Sequence, residues 1–374
     1  MTARPRLRPG LRRAWRDATT LQVGVFPGPG VVLAGLRAGD EAVIAALDGA
    51  HDLDQLRQVG ARNRVDDGRV GQLLALLSHS GLLAGPGDGG RIDRAHLSRL
   101  GATARERLQP DSDAWSLTHD GEGLLLAADR ARRRVVVHGA GRVGATVAST
   151  LLAAGVGSVS VVDAQPVRPG DVLPSGAQQQ DVGGSWAQVM AGVAARVGAP
   201  CPSHGRSPEP DLVVLVGEHV LDARVGDDLV RRDIDHLGVV VDTARVVVGP
   251  LVLPGRSPCI RCLDLHRRDR DPAWLHLVAQ LLDSRATRSA VGETALSTTA
   301  GALAALQVLC HLDAKVTPDT VGRTLELSLP DGQVHRRAWR LHAQCGCSRL
   351  PAAPSGADDD QARAPAAWAY RPTA

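Results

Sequence analysis

The stretch from Arg132 to Asp163 constrains the fold of this chain more than any other. Val135-Val136-Val137 reads as a short buried strand, and Gly139-Ala140-Gly141-Arg142-Val143-Gly144 follows at once. That run opens a helix with Val143, Val147 and Leu151 on one stripe, ended by Gly155. Ser158–Val162 is a second strand, and Asp163 stands at its end. Strand, Gly-x-Gly-x-x-Gly turn, helix and strand in this order make a Rossmann-type unit. Gly139 permits the tight turn, Gly141 lets the backbone approach a phosphate, and Gly144 lets helix and strand pack closely. The helix start offers free N–H groups and partial positive charge to an anion. Arg142 belongs to the same turn, and Asp163 is positioned for ribose hydroxyls. The nucleotide-binding set is therefore Gly139, Gly141, Arg142, Gly144 and Asp163.

From 132 to 349 buried strands alternate with helices, which predicts an α/β domain with a mostly parallel sheet. Within it, Ala295–Leu312 reads as a long helix of small residues. It packs either against the sheet, the reading preferred here, or against a second copy in a homodimer. Leu325–Leu329 and Val334–Leu341, around Pro330-Asp331-Gly332, read as a hairpin. Ahead of this domain, 21–26 and 31–36 are strand-like and flank Pro27-Gly28-Pro29-Gly30. Three short helices follow: one capped by Asp40, one holding Leu53 and Leu56, and one from about Asp67. A hairpin with three small helices predicts a winged-helix-like α+β module over 1–88. Residues 89–131 read as a linker, with weak helical character over 96–130, and 350–374, rich in Pro, Ala and Asp, as a disordered tail.

Composition narrows the function classes. Net charge is only +3, Lys315 is the single lysine, and there is one Phe and one Tyr. A chain with so few aromatics has no base-stacking platform, so nucleic acid is not an expected partner. No run is as long and uniformly apolar as a bilayer span, and no apolar signal core follows the basic start, so a cytoplasmic protein with no membrane partner is expected. Six cysteines include two close pairs, Cys259/Cys262 and Cys345/Cys347. Two thiol pairs far apart in sequence suit a structural tetrahedral zinc, with His342 an alternative ligand. Cys201, in a loop, and Cys310, within the small-residue helix, carry no assigned role.

The glycine turn, Asp163 and Gly249-Pro250-Leu251-Val252-Leu253-Pro254-Gly255 leading into the cysteine pair resemble the ThiF family, the adenylating fold shared with MoeB and ubiquitin-activating enzymes. The segment from Pro258 to Trp274 is more narrowly similar to ThiF-like proteins of azoline (TOMM) biosynthesis, a class of ribosomally made peptide (RiPP). There the N-terminal module resembles a PqqD-like element that captures a precursor's leader peptide by strand addition. The resemblance implies ATP and magnesium, with an arginine and a lysine on the triphosphate and an aspartate on the metal. Pro169 through Ala195 contains neither Arg nor Lys. The acidic position after the strand at 211–216 is taken by Gly217-Glu218-His219, with Asp222 beyond. Arg142, Arg168 or Arg196 could substitute from nearby, against the preferred reading of each as a solvated surface arginine.

The resulting expectation is a protein that binds a leader peptide and supports heterocyclisation by a YcaO-like cyclodehydratase, with a degenerate adenylation site and no assigned catalytic residue. The alternative is an active ATP-dependent adenylyltransferase acting on a peptide carboxylate. An NAD-dependent oxidoreductase is a weaker third reading, because the cysteine pairs and the lack of a placed acid–base histidine speak against it.

Overall fold

The computed structural model describes residues 4–8, 10–24, 30–83, 101–118, 123–199, 209–283 and 292–349. The segment 84–95, Cys201, the tail 350–374, and residues 25–29 of the expected hairpin lie outside these. At the N-terminus β1 (Arg13–Asp17), β2 (Thr20–Val23) and β3 (Val31–Leu33) form an antiparallel sheet in that order. The sequence reading had no strand at 13–17. All five of its residues are exposed, so pairing with β2 holds it and no alternation marks it. Three helices follow: α1 (Asp40–Ala45), α2 (Leu53–Arg62) and α3 (Asp67–His79). Asp40 is the first residue of α1 rather than its cap. Its fully buried carboxylate takes Arg69 at 2.6 Å and the Arg37 amide at 2.8 Å. Asp52 and Gln55 close a reciprocal cap on α2. Leu21, Leu33, Ile44, Leu56 and Leu73 form the core of this unit.

The stretch expected as a linker, 89–131, is helical in its second part: α4 (Ala102–Arg107), α5 (Gln109–Thr118) and α6 (Gly123–Arg130). Arg130, 2% exposed, makes a two-bond ion pair with Asp313 at 2.8 and 2.6 Å and lies over the Trp115 ring. The long-range partner of Arg130 is invisible in a local reading of the sequence.

The main sheet holds β4 (Arg134–His138), β5 (Ser158–Val162), β6 (Leu212–Glu218), β7 (His236–Val241), β8 (Arg245–Val252), β9 (Arg323–Ser328) and β10 (Val334–Ala338). Their order is β10-β9-β8-β7-β6-β4-β5, with β5, β4, β6 and β7 parallel and the rest antiparallel. The helices are α7 (Gly141–Ala153), α8 (Trp186–Arg196), α9 (Ala223–Arg231), α10 (Ile260–Arg270), α11 (Trp274–Asp283) and α12 (Thr294–Asp313). The chain leaves β4 toward β5 and returns to β6 on the other side. That reversal opens a crevice at the carboxyl ends of β4 and β6, where open α/β sheets bind ligands.

The α12 helix packs on α7 and β8. A Cβ on Gly301 would lie 2.7 Å from Thr146, so the glycine is what lets the two helices approach. By length and average composition alone, α12 has an 18-residue window apolar enough to span a bilayer. More than half of that window (56%) is buried inside the protein. Its Thr, Ser and Gly residues interrupt the apolar run that a sequence scan looks for.

Candidate functional site

The glycine turn stands at that crevice. Gly139 (φ 88°) donates its amide to Val162 across the parallel strands at 3.0 Å, and a Cβ there would meet the Val216 carbonyl at 2.3 Å. A Cβ on Gly144 would meet the Gly139 carbonyl at 2.1 Å. Gly141 (φ 54°) has open space on its Cβ side, where the nearest atom is an Asp171 oxygen at 3.9 Å. The first amide returned to the helix ladder is Gly144 to Ala140, so the amides of Gly141, Arg142 and Val143 precede it. These residues line a cavity of about 470 Å3. Asp163 faces the same cavity: one carboxylate oxygen accepts the Ala140 amide and the other the Gln165 amide, both at 2.9 Å. The aspartate thus braces the turn and keeps lone pairs for a ligand.

Of the three arginines that could substitute for the missing cations, Arg142 and Arg168 line the cavity and are partly buried. Arg142 Nε donates to the Gly170 carbonyl at 2.6 Å, and its Nη1 to the Gly292 carbonyl at 3.0 Å. Arg168 lines the cavity from the segment after β5 and bonds Asp171 at 3.1 Å and Glu218 at 3.2 Å. Burial works against charge on Arg168, but Asp171 and Glu218 overcome it and hold its pKa above the ordinary value. Among the described residues Arg196 reaches the Gly176 carbonyl, and it does not line the cavity. The sequence offered Arg168 as a candidate cation but not its partner Glu218, which the fold brings to it across 50 residues.

The far wall comes from the end of β6. Glu218, His219 and Asp222 line the cavity, with His219 in left-handed backbone (φ 63°) and its Nδ1 3.1 Å from Asp242. Asp222 caps α9 and is held below the usual carboxylate range by its hydrogen bond from Arg224. His138 is half-buried under the turn, and desolvation lowers its pKa. Asp163, Asp171, Glu218 and Asp222 outnumber Arg142 and Arg168 in the lining. A polyphosphate would therefore need a divalent cation to settle here. Glu218 and Asp222 are hard oxygen donors of the kind magnesium takes.

The second constellation is the cysteine cluster. Cys259 caps the start of α10, Cys262 lies in its first turn, and Cys345 and Cys347 come from the segment after β10. Sulfur separations are 3.8 Å (259–262), 3.6 Å (259–345) and 3.5 Å (262–347). A tetrahedral zinc with bonds of about 2.3 Å requires sulfurs about 3.8 Å apart. The single-residue spacer of Cys345-Gly346-Cys347 is no obstacle. All four thiols are buried, so the cluster fits a closed structural zinc and leaves no open position. The hydrogen bond between Cys259 and Cys262 pushes the first thiol up and holds the second low, a conflict that a shared cation relieves. His342 does not take the place of any thiol. Its amide donates to Cys262 Sγ at 3.5 Å and its Nε2 lies 2.7 Å from Asp269. Cys310 is remote from both sites, its thiol donating to the Val316 carbonyl.

No family model and no curated protein matches the sequence. Solved structures do match in fold. Escherichia coli MccB with AMPCPP and MccA aligns with TM-score 0.64 at 14% identity, over 92% of this chain and 99% of that one. MccB with ATP aligns with TM-score 0.61 at 15% identity over the same shares. PaaA aligns with TM-score 0.62 at 15% identity, over 88% of this chain and 98% of that one. MccB, a microcin C7 biosynthetic enzyme, is ThiF/MoeB-like, and the ThiF-type fold expected from the sequence is the fold these structures share with this chain.

Proposed function

We propose that this chain is a ThiF-fold enzyme of ribosomal-peptide modification that binds a precursor peptide, holds ATP at the glycine turn and activates a peptide carboxyl group as an acyl adenylate. The observation that carries this reading is the cavity at the carboxyl ends of β4 and β6, with Gly141, Arg142, Asp163 and Arg168 around it. In the reaction a carboxylate oxygen attacks the α-phosphorus of ATP, a P–O bond breaks, and pyrophosphate leaves. The work falls on positioning and on charge neutralisation. The turn amides and the α7 dipole take the phosphates, Asp163 takes the ribose, and Arg168 swings its guanidinium between Glu218 and the polyphosphate. Glu218 and Asp222 would hold a magnesium ion, which supplies phosphate charge neutralisation when bound. A zinc held by the four cysteines would tie α10 to the segment after β10 and take no part in the chemistry.

Support for a peptide substrate comes from the neighbours: MccB is seen in complex with MccA, a precursor peptide, and with ATP. On this reading residues 1–88 are a winged-helix-like leader-capture module. Its sheet ends at β3, where an extended peptide can add as a fourth strand. ATP–pyrophosphate exchange in the presence of the precursor peptide tests the proposal; exchange that depends on the peptide is expected, and none with the true precursor contradicts it.

A second reading keeps the leader capture and drops the chemistry: a partner of a YcaO-like cyclodehydratase with a degenerate adenylation site. It is favoured by the four carboxylates in the lining and by the prior engagement of both arginines. Silent exchange together with tight leader binding is the outcome that selects it.

A further inference from the structure

A second cavity, of about 590 Å3, lies between the start of α9, α10 and α11. It adjoins the glycine-turn cavity, and Asp222 and Leu282 line both. We propose that this cavity is the acyl side of the same centre and takes an apolar side chain at the carboxyl end of the peptide substrate. The inference rests on the adenylation reading above.

The lining carries it. Leu275, Val278, Ala279 and Leu282 recur at helical spacing along one face of α11, and Leu265 of α10 joins them. Such a stripe normally buries itself, yet only Val278 does so. Leu275 is 45% and Leu282 36% exposed. The charged groups around the cavity have partners. Asp264 accepts from Trp274 Nε1 at 3.0 Å and Arg267 at 3.3 Å, Arg224 pairs with Asp222 at 2.8 Å, and Arg261 pairs with Asp227. A charged ligand would have to break one of these pairs, whereas an apolar group finds free leucine surface. A volume in the range of small-ligand pockets holds a large side chain with its backbone. The shared residues put that backbone's carboxyl end at the nucleotide cavity.

The test uses the zinc-loaded full chain and hexapeptide pools, randomised except for a fixed last residue: Leu, Phe, Gly, Asp or Lys. Pyrophosphate exchange should run about tenfold or more faster with the Leu and Phe pools than with Asp or Lys. Val278→Asp should erase that preference with bound zinc and the circular-dichroism spectrum unchanged, which a general loss of structure would not do. Leu275→Gln, at an exposed position, serves as a second variant and should reduce the preference partially. Independently, pools ending in a diazirine-bearing leucine analogue should cross-link to α10 and α11 at millimolar peptide. Adducts there with no exchange from any pool would retire the adenylation reading and leave the cavity assignment standing. Equal exchange from all pools, or adducts confined to other elements, overturns the inference.

Discussion

The glycine-turn cavity and the cysteine cluster are both assembled around the same sheet, and they differ in what completes them. The cluster is four equal donors whose spacing already matches one cation, buried and closed. The cavity is a mixed set, in which each cation is held by a carbonyl or carboxylate of the protein and the lining is net acidic. A structural site can be finished by its donors alone. On the adenylation reading such a site must let groups exchange partners, and the Arg168–Glu218 pair is its resting arrangement.

The largest effect should come from breaking the cluster. Cys262→Ser leaves three thiols and an unsatisfied centre, and should cost roughly 4 kcal/mol or more, about 10 °C in Tm for a domain of this size. Metal analysis alongside thermal denaturation checks it; full stability without bound zinc would remove the structural role. The turn should respond next. Gly144→Ala forces a Cβ into the Gly139 carbonyl and should cost roughly 3 kcal/mol together with nucleotide binding, while zinc stays bound. Retained nucleotide affinity in that variant would mean the turn is not where the ligand sits. Asp163→Asn sharpens the contrast further. It keeps the size and weakens the acceptor for the Ala140 amide, so stability should fall by about 1 kcal/mol while ATP affinity falls about tenfold. Circular dichroism melts and calorimetry separate the two numbers.

The smallest effect is on pH. Burial lowers the pKa of both His138 and His236 from 6.5. Each binds a proton less readily folded than unfolded, so the stabilisation is present above pH 6.5 and is lost as pH falls through the lowered folded values. Denaturant melts at pH 7.5 and 5.5 should show this loss, and His236→Leu should flatten it. Among the described residues His236 Nε2 is buried without a hydrogen-bond partner, while its Nδ1 lies 3.0 Å from the Ile234 carbonyl, so leucine removes the titrating ring and leaves only that carbonyl unpaired. Zinc content followed in parallel distinguishes this loss from release of the metal.

How much of this was readable in advance follows range of contact. The turn from 135 to 163 is contiguous, and its strand, helix and strand appear as read, with ends within a residue or two. The cysteine set could be grouped because pairs of one residue type stand out at any distance. What stayed hidden was assembled by topology. Arg168 meets Glu218 across 50 residues, and Arg130 meets Asp313 across 183, with nothing local to announce either. The strand at 13–17 escaped for a different reason: it is exposed on both faces, and alternation records burial rather than pairing.

The central claim is that the cavity is a nucleotide site whose cationic element is Arg168. Calorimetry of MgATP binding to the zinc-loaded chain, wild type beside Arg168→Ala, tests it most directly. The account predicts saturable binding that weakens about tenfold or more in the variant, with zinc content unchanged in both. No heat at millimolar MgATP, or binding that Arg168→Ala leaves untouched, would contradict it.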